Sequence, residues 1–288
     1  MYQNIRDEIL KETGSESLAT DREIDIIRRD SGRKEIKRLN YISNQSEIAK
    51  IIREFGGFYF QKYEYVLKLE LEKQFLTRYI YLCTYIDYEG RLRFKSANNK
   101  GKLITVKDLP KVLGLSEREA RNTKNALVEH ELIFINKDKT INVNPKYAIK
   151  GGMSRKELRG SVRAMEEGIR EIYEKAKPRE HRRLALLMEL LPYINFSHNI
   201  VCNNPNEKDI EKVDPFNLTE VMELAKYTNL TKFKRDLLNL TVNEELVIKI
   251  TETKHGKFIY VNPRIFYKGN NVNDLKSCIN EFKVKKQK

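Results

Sequence analysis

Apolar residues recur at three- and four-residue steps through Phe75, Tyr79, Leu82 and Ile86, which predicts a helix between residues 71 and 88. A short helix follows over residues 108–113 and is broken at Gly114. Ser116, followed three residues later by Glu119, signals the start of the next helix as a capping box. Residues 154–176 carry Leu158, Val162, Met165, Ile169 and Ile172 in an amphipathic, mixed-charge run that predicts one more helix, stopped at Lys177-Pro178. Alternation through Phe55, Phe58, Tyr59, Phe60, Tyr63 and Tyr65 around Gly56-Gly57 predicts a short strand. Its aromatics suit a core better than a stacking platform for single-stranded bases.

One pattern occurs twice. Val143-Asn144-Pro145-Lys146-Tyr147-Ala148-Ile149-Lys150-Gly151 returns as Val261-Asn262-Pro263-Arg264-Ile265-Phe266-Tyr267-Lys268-Gly269. Upstream, Leu132-Ile133-Phe134-Ile135 matches Leu246-Val247-Ile248-Lys249. Leu109, Val112, Ala120 and Leu127 match Met222, Ala225, Phe233 and Leu240. The separation between copies grows along the module, so the insertions fall after its second helix and in the strand turn. Each copy reads helix, helix, strand, turn, strand, behind a short apolar segment (Leu103 to Val106; Phe216 to Leu218). That order predicts an α+β, mostly helical fold of tandem winged-helix (helix-turn-helix) domains. The Asn-Pro ending reads as structural: Asn before proline stays extended, proline leaves the ladder, and glycine permits a left-handed exit.

The expected organisation is an N-terminal helical appendage over residues 1–54, a first winged-helix domain over 55–152 and a linker helix over 153–178. A second winged-helix domain over 179–272, with its packing helix from Leu184 to Leu191, precedes a C-terminal helix and basic tail over 273–288. The appendage shows short helical patches (Ile5, Ile9, Leu10; Ile24, Ile27; Ile48, Ile51, Ile52) separated by Thr13-Gly14-Ser15 and Ser31-Gly32. Between Arg28 and Arg38 stand six basic and two acidic residues, best read as a solvated helix face.

Charge narrows the partner. The 288 residues carry a formal net charge of +14, which favours encounter with a polyanion. No long apolar run and no leader-like start are present, so the expected setting is the cytoplasm, away from membrane, and the expected polyanion is nucleic acid. Cys83, Cys202 and Cys278 are too scattered to suggest disulfides or a zinc site.

On the second helix of the first module, inward positions Ala120, Thr123, Leu127 and His130 leave Arg118, Arg121, Asn122 and Asn125 on the opposite face. Arginine and asparagine suit guanine and adenine edges in the major groove, and Lys124 can reach a phosphate. Lys137 and Lys139 sit in the first wing. In the second module Phe233, Leu237 and Leu240 point inward, leaving Lys232, Lys234, Arg235 and Asn239 outward, with Lys254, His255 and Lys257 in its wing.

No enzyme emerges. A DNA-nicking protein needs a histidine pair holding a metal beside a tyrosine nucleophile, whereas His130, His181, His198 and His255 stand apart. No phosphate-cradling Gly-x-x-x-x-Gly-Lys-Ser/Thr loop is present, so no cofactor is expected. His181-Arg182-Arg183 reads as phosphate-contacting or solvated. Two such modules in series, ending in Val-Asn-Pro-Lys/Arg-x-x-x-Lys-Gly, resemble the replication initiator proteins of plasmids and phages of low-GC Gram-positive bacteria over residues 75–151 and 184–269. That resemblance implies binding to repeated or dyad origin DNA and recruitment of host replication proteins, with a homodimer as a further option. Transcriptional regulators use the same heads, and a protein-binding role for the modules is the third alternative.

Overall fold

The computed structural model describes residues 16–96, 101–153, 158, 160–253 and 256–283, in two compact units, residues 1–49 and 50–288. The first unit is dominated by helix α1 (Glu16–Glu54), whose last turn carries over into the second. The separate helical patches expected here are one continuous helix running through Ser31-Gly32. A lone glycine costs a helix only about 1 kcal/mol, too little to break it without a proline. The apolar patch at Ile5, Ile9 and Leu10 lies outside the described residues.

The second unit is α+β, with helices and small antiparallel sheets. Its first half runs β1 (Phe58–Gln61), α2 (Tyr63–Val66), α3 (Lys73–Cys83), α4 (Leu109–Leu113), α5 (Glu117–Glu129), β2 (Ile133–Ile135), β3 (Ile141–Val143) and β4 (Ala148–Ile149). The second half runs β5 (Val162–Met165), α6 (Glu166–Lys175), α7 (His181–Leu184), α8 (Leu186–Glu189), α9 (Leu218–Leu224), α10 (Leu230–Leu238), β6 (Thr241–Val242), β7 (Glu245–Leu246), β8 (Ile248–Thr253), β9 (Gly256–Val261), β10 (Phe266–Tyr267) and α11 (Val272–Lys283). The single linker helix expected over residues 154–176 is corrected. Val162–Met165 is a fully buried strand, and the helix after it covers residues 166–175. Val162 and Met165 fit either period, and pairing with strands on both sides decides for the sheet.

Matching hydrogen bonds show that the repeat is structural. Asn144 N–H donates to Leu132 O at 3.0 Å and Asn262 N–H to Val247 O at 2.8 Å. The side-chain amides reach Glu131 O at 2.8 Å and Leu246 O at 3.0 Å, while the Asn144 and Asn262 Oδ1 atoms accept from Lys146 N–H and Arg264 N–H. Each asparagine therefore ties the end of its hairpin to the turn before it, as an Asx turn does. Gly151 takes the left-handed exit at φ 123°. Gly269 does not, and is required instead by space, since a Cβ there would meet Tyr267 and the Phe196 carbonyl.

The register also shifts two sequence matches by one residue. Ile133 pairs with Val143 and Ile248 with Val261, so Ile133 corresponds to Ile248 rather than to Val247. Reciprocal caps at Thr105/Asp108 and Asn217/Glu220 align Leu109 with Val221, and Leu113 with Ala225. The slack is taken up by an extra hairpin, β6–β7, whose Asn243 and Glu244 adopt positive φ.

The strands β10-β5-β1-β4 form one four-stranded sheet. Phe60 faces Ile149 in the first module and Arg163 faces Tyr267 in the second, and Phe60 and Arg163 also face each other. Because Ile149 and Tyr267 hold the same place in the repeat, so do Phe60 and Arg163. The pair thus marks a local two-fold axis, which between antiparallel strands stands perpendicular to the sheet. One apolar core, including Tyr59, Tyr79, Leu82, Leu127, Leu187, Phe233 and Phe266, runs through both modules.

Candidate nucleic-acid interface

α5 begins at Ser116, whose hydroxyl accepts from Glu119 N–H at 3.3 Å. The return half of the expected capping box is missing because the Glu119 carboxylate is taken by Arg78 at 3.1 Å. Ala120, Thr123 and Leu127 are buried, and Arg118, Arg121, Asn122 and Asn125 are exposed at the spacing of one helix face, with Lys124 half-buried beside them. Lys137 and Lys139 are exposed in the turn between β2 and β3, where Lys139 has φ 67°. Among the described residues, none of Arg118, Arg121, Lys124, Lys137 and Lys139 stands in an ion pair.

α10 repeats the scheme. Asn229 Oδ1 accepts from Lys232 N–H at 2.8 Å, Phe233, Asp236 and Leu237 are buried, and Lys232, Lys234, Arg235 and Asn239 are exposed. Arg235 sits 3.7 Å from Asp236, and Lys257 sits 3.7 Å from Glu252. The strands β8 and β9 pair over six positions against three in the first module, so the second hairpin projects further. Lys254 and His255 at its turn lie outside the described residues. The candidates thus fall on matching elements of the two modules, a capped helix and the hairpin after it, and the modules are joined across the β1–β5 strand pair at Phe60 and Arg163.

Beneath each exposed face is a brace that the sequence reading missed. Arg78, 4% exposed, donates from Nη1 to Thr123 Oγ1 at 2.9 Å, from Nη2 to Glu119 Oε2 at 3.1 Å, and from Nε to His181 Nδ1 at 3.3 Å. In the second module Arg183 donates to Asp236 Oδ1 at 3.2 Å, and Asp236 stands where Thr123 stands in the first. His181-Arg182-Arg183 is thus corrected. His181 is 1% exposed and stacked 4.2 Å from Tyr173, while Arg183 is engaged by Asp236 and by Glu180 at 2.7 Å, leaving Arg182 as the exposed member. Burial, reinforced by the Arg78 charge, pushes the His181 pKa down to about 4, so the ring is neutral and accepts from Arg78. A signal was available: Arg78 lies three residues from Phe75 and four from Leu82, on the apolar stripe of its helix, where an unpartnered charge is costly.

The modules meet through several further bonds. Arg170 donates to Thr84 Oγ1 at 2.8 Å, Tyr173 O–H to Leu113 O at 3.0 Å, and Lys73 pairs with Glu189 at 2.8 Å. Cys83, Cys202 and Cys278 are free and buried. Among the described residues no helix is long and apolar enough to cross a membrane, and no cluster of three or more potential metal ligands occurs. No protein-family model, no curated protein and no solved structure matches the chain.

Proposed function

We propose that the protein is a sequence-specific double-stranded DNA-binding protein with two winged-helix heads, α5 and α10 being the helices that enter the major groove. On this reading it acts as a plasmid or phage replication initiator at origin repeats. The observation that carries it is the recurrence, in two modules joined across the β1–β5 strand pair, of a capped helix whose outer face holds Arg118, Arg121 and Asn122 in one module and Lys232, Lys234 and Arg235 in the other. Duplex DNA offers two successive major grooves on one face, one helical turn or about 10 base pairs apart, and a pseudo-symmetric pair of helices suits that spacing. The net charge of +14 supplies the phosphate-binding field. The helices differ in outward residues, so the half-sites differ in sequence. A fluorescence titration against origin-repeat duplexes tests this: each phosphate contact contributes about 0.9 to the slope of log affinity against log salt. A slope near zero would contradict it. Footprints that fall on promoters instead of origin repeats would favour the transcriptional regulator with the same heads.

A further inference from the structure

Arg78 belongs neither to an exposed face nor to the central sheet, yet it touches the groove-entering helix of one module and the start of α7 in the other. From its position on α3 it reaches Glu119 and Thr123 on α5 and His181 at the start of α7. Two residues along α7, Arg183 reaches Asp236 on α10. His181 is held from two further directions, its carbonyl accepting from Thr77 Oγ1 at 2.8 Å and its ring lying against Tyr173, itself stacked 3.8 Å from Tyr81. The two outward-facing helices are therefore joined through α7: Arg183 on it bonds Asp236, and His181, two residues earlier on the same short helix, accepts from Arg78, which also bonds Glu119 and Thr123.

Such a path has a directional consequence that apolar packing lacks. A guanidinium is planar and its donors diverge at fixed angles, so three bonds from Arg78 fix the rotation of α5 against α7, whereas interlocked aliphatic side chains tolerate small slides. We infer that Arg78, with Arg183 as its counterpart, is a positioning residue that sets the angle between α5 and α10 and so the spacing of the two half-sites the protein accepts. This rests on the DNA-binding reading above and adds to it a determinant of site geometry that touches no base. Losing the brace leaves each helix its own contacts but frees their relative orientation, so tolerance for altered spacing rises as joint affinity falls.

The test uses the full chain and duplexes selected by it from a library with a randomised centre, rebuilt with one or two base pairs added or removed between the half-sites. For the unchanged protein, affinity should fall by at least about tenfold two base pairs from the optimum, because the second half-site is rotated away from its helix. Arg78→Met should lose about tenfold at the optimum, flatten the spacing profile, and bind each isolated half-site within about twofold of the unchanged protein. Arg183→Met, on a less buried residue, should flatten the profile in the same way and serves where Arg78→Met fails to fold. Variants that keep the sharp profile, or that weaken isolated half-sites as much as the joined site, would overturn the inference. If the unchanged protein selects no duplex at all, the DNA-binding reading fails and this inference with it.

Discussion

Phe60 and Arg163 lie opposite each other in the central sheet, and each occupies the same place in its own copy of the repeat. A duplicated module has therefore been joined to itself across a near-symmetric strand pair, with one partner replaced. Where symmetry would put two aromatic rings, Arg163 lies 5.5 Å from the Phe60 ring and 5.7 Å from the Phe58 ring, and its guanidinium donates to the Gly269 carbonyl.

Replacing Arg163 by alanine should cost about 2–4 kcal/mol, because a charge-assisted hydrogen bond and two cation–π contacts are lost and the buried carbonyl of Gly269 is left without this donor. Urea unfolding followed by circular dichroism measures this. A change below about 0.5 kcal/mol would mean the sheet closes without it.

The same axis exposes a second departure from symmetry. Lys150, in the first copy of the motif, pairs with Glu166 at 2.6 Å, whereas Lys268, its counterpart, donates to the Pro192 and Ile194 carbonyls at 3.3 and 3.1 Å and lies 4.7 Å from the Tyr63 ring. Burial lowers the Lys268 pKa to about 7, with Cys202 and Glu64 opposing weakly. Between that value and the unfolded value near 10.4, the unfolded chain holds a proton that the folded chain has released, so stability should rise with pH across this window by up to about 1.4 kcal/mol per unit. Buried Cys83 and Cys278, whose thiols are pushed up, act in the opposite sense above their unfolded value. The clean quantity is therefore the stability of the unchanged protein minus that of Lys268→Met, measured from pH 7 to pH 10. A flat difference would contradict the assignment.

His181 gives an acid-side counterpart. Its pKa of about 4 lies below the unfolded value of about 6.5, so stability should fall as pH drops from 6.5 towards 4, where only the unfolded chain takes up the proton. Relative to His181→Phe, the unchanged protein should lose up to about 1.4 kcal/mol per unit in that range, read from urea midpoints. An unchanged difference would mean that His181 is not held neutral.

How much of this was legible in the sequence depends on whether the signal was local. The helix start at Ser116, the inward stripe of Ala120, Thr123 and Leu127, and the duplicated Asn-Pro turn are set by neighbouring residues and were readable. The strand at Val162–Met165 was not, because four buried residues carry no period and only pairing with Phe58–Gln61 and Phe266–Tyr267 makes them a sheet. The partners of Arg78, His181, Arg183 and Asp236 were missed for the same reason, being distant in sequence and visible only once the modules are packed, although the place of Arg78 on an apolar stripe was itself a local sign of burial. The outward residues of α5 and α10 were placed correctly on the exposed faces, since helix period alone decides that.

Each head should be separable by its outward side chains. Arg118→Ala with Arg121→Ala should relax sequence preference in one half-site only, at about 1–3 kcal/mol per lost bidentate contact, and Lys232→Ala with Arg235→Ala should act on the other half. Selection of binding sites by each variant, with sequencing of the winners, reads this directly. Equal relaxation of both halves would contradict the assignment of one helix to each.

Whether α5 and α10 grip one duplex together can be read by hydroxyl-radical footprinting of the unchanged protein on its selected duplex. Two helices in successive major grooves should leave two protected patches on one face of the DNA, centred about 10 base pairs apart. A single patch, or two that stay protected wherever the second half-site is moved, would contradict it.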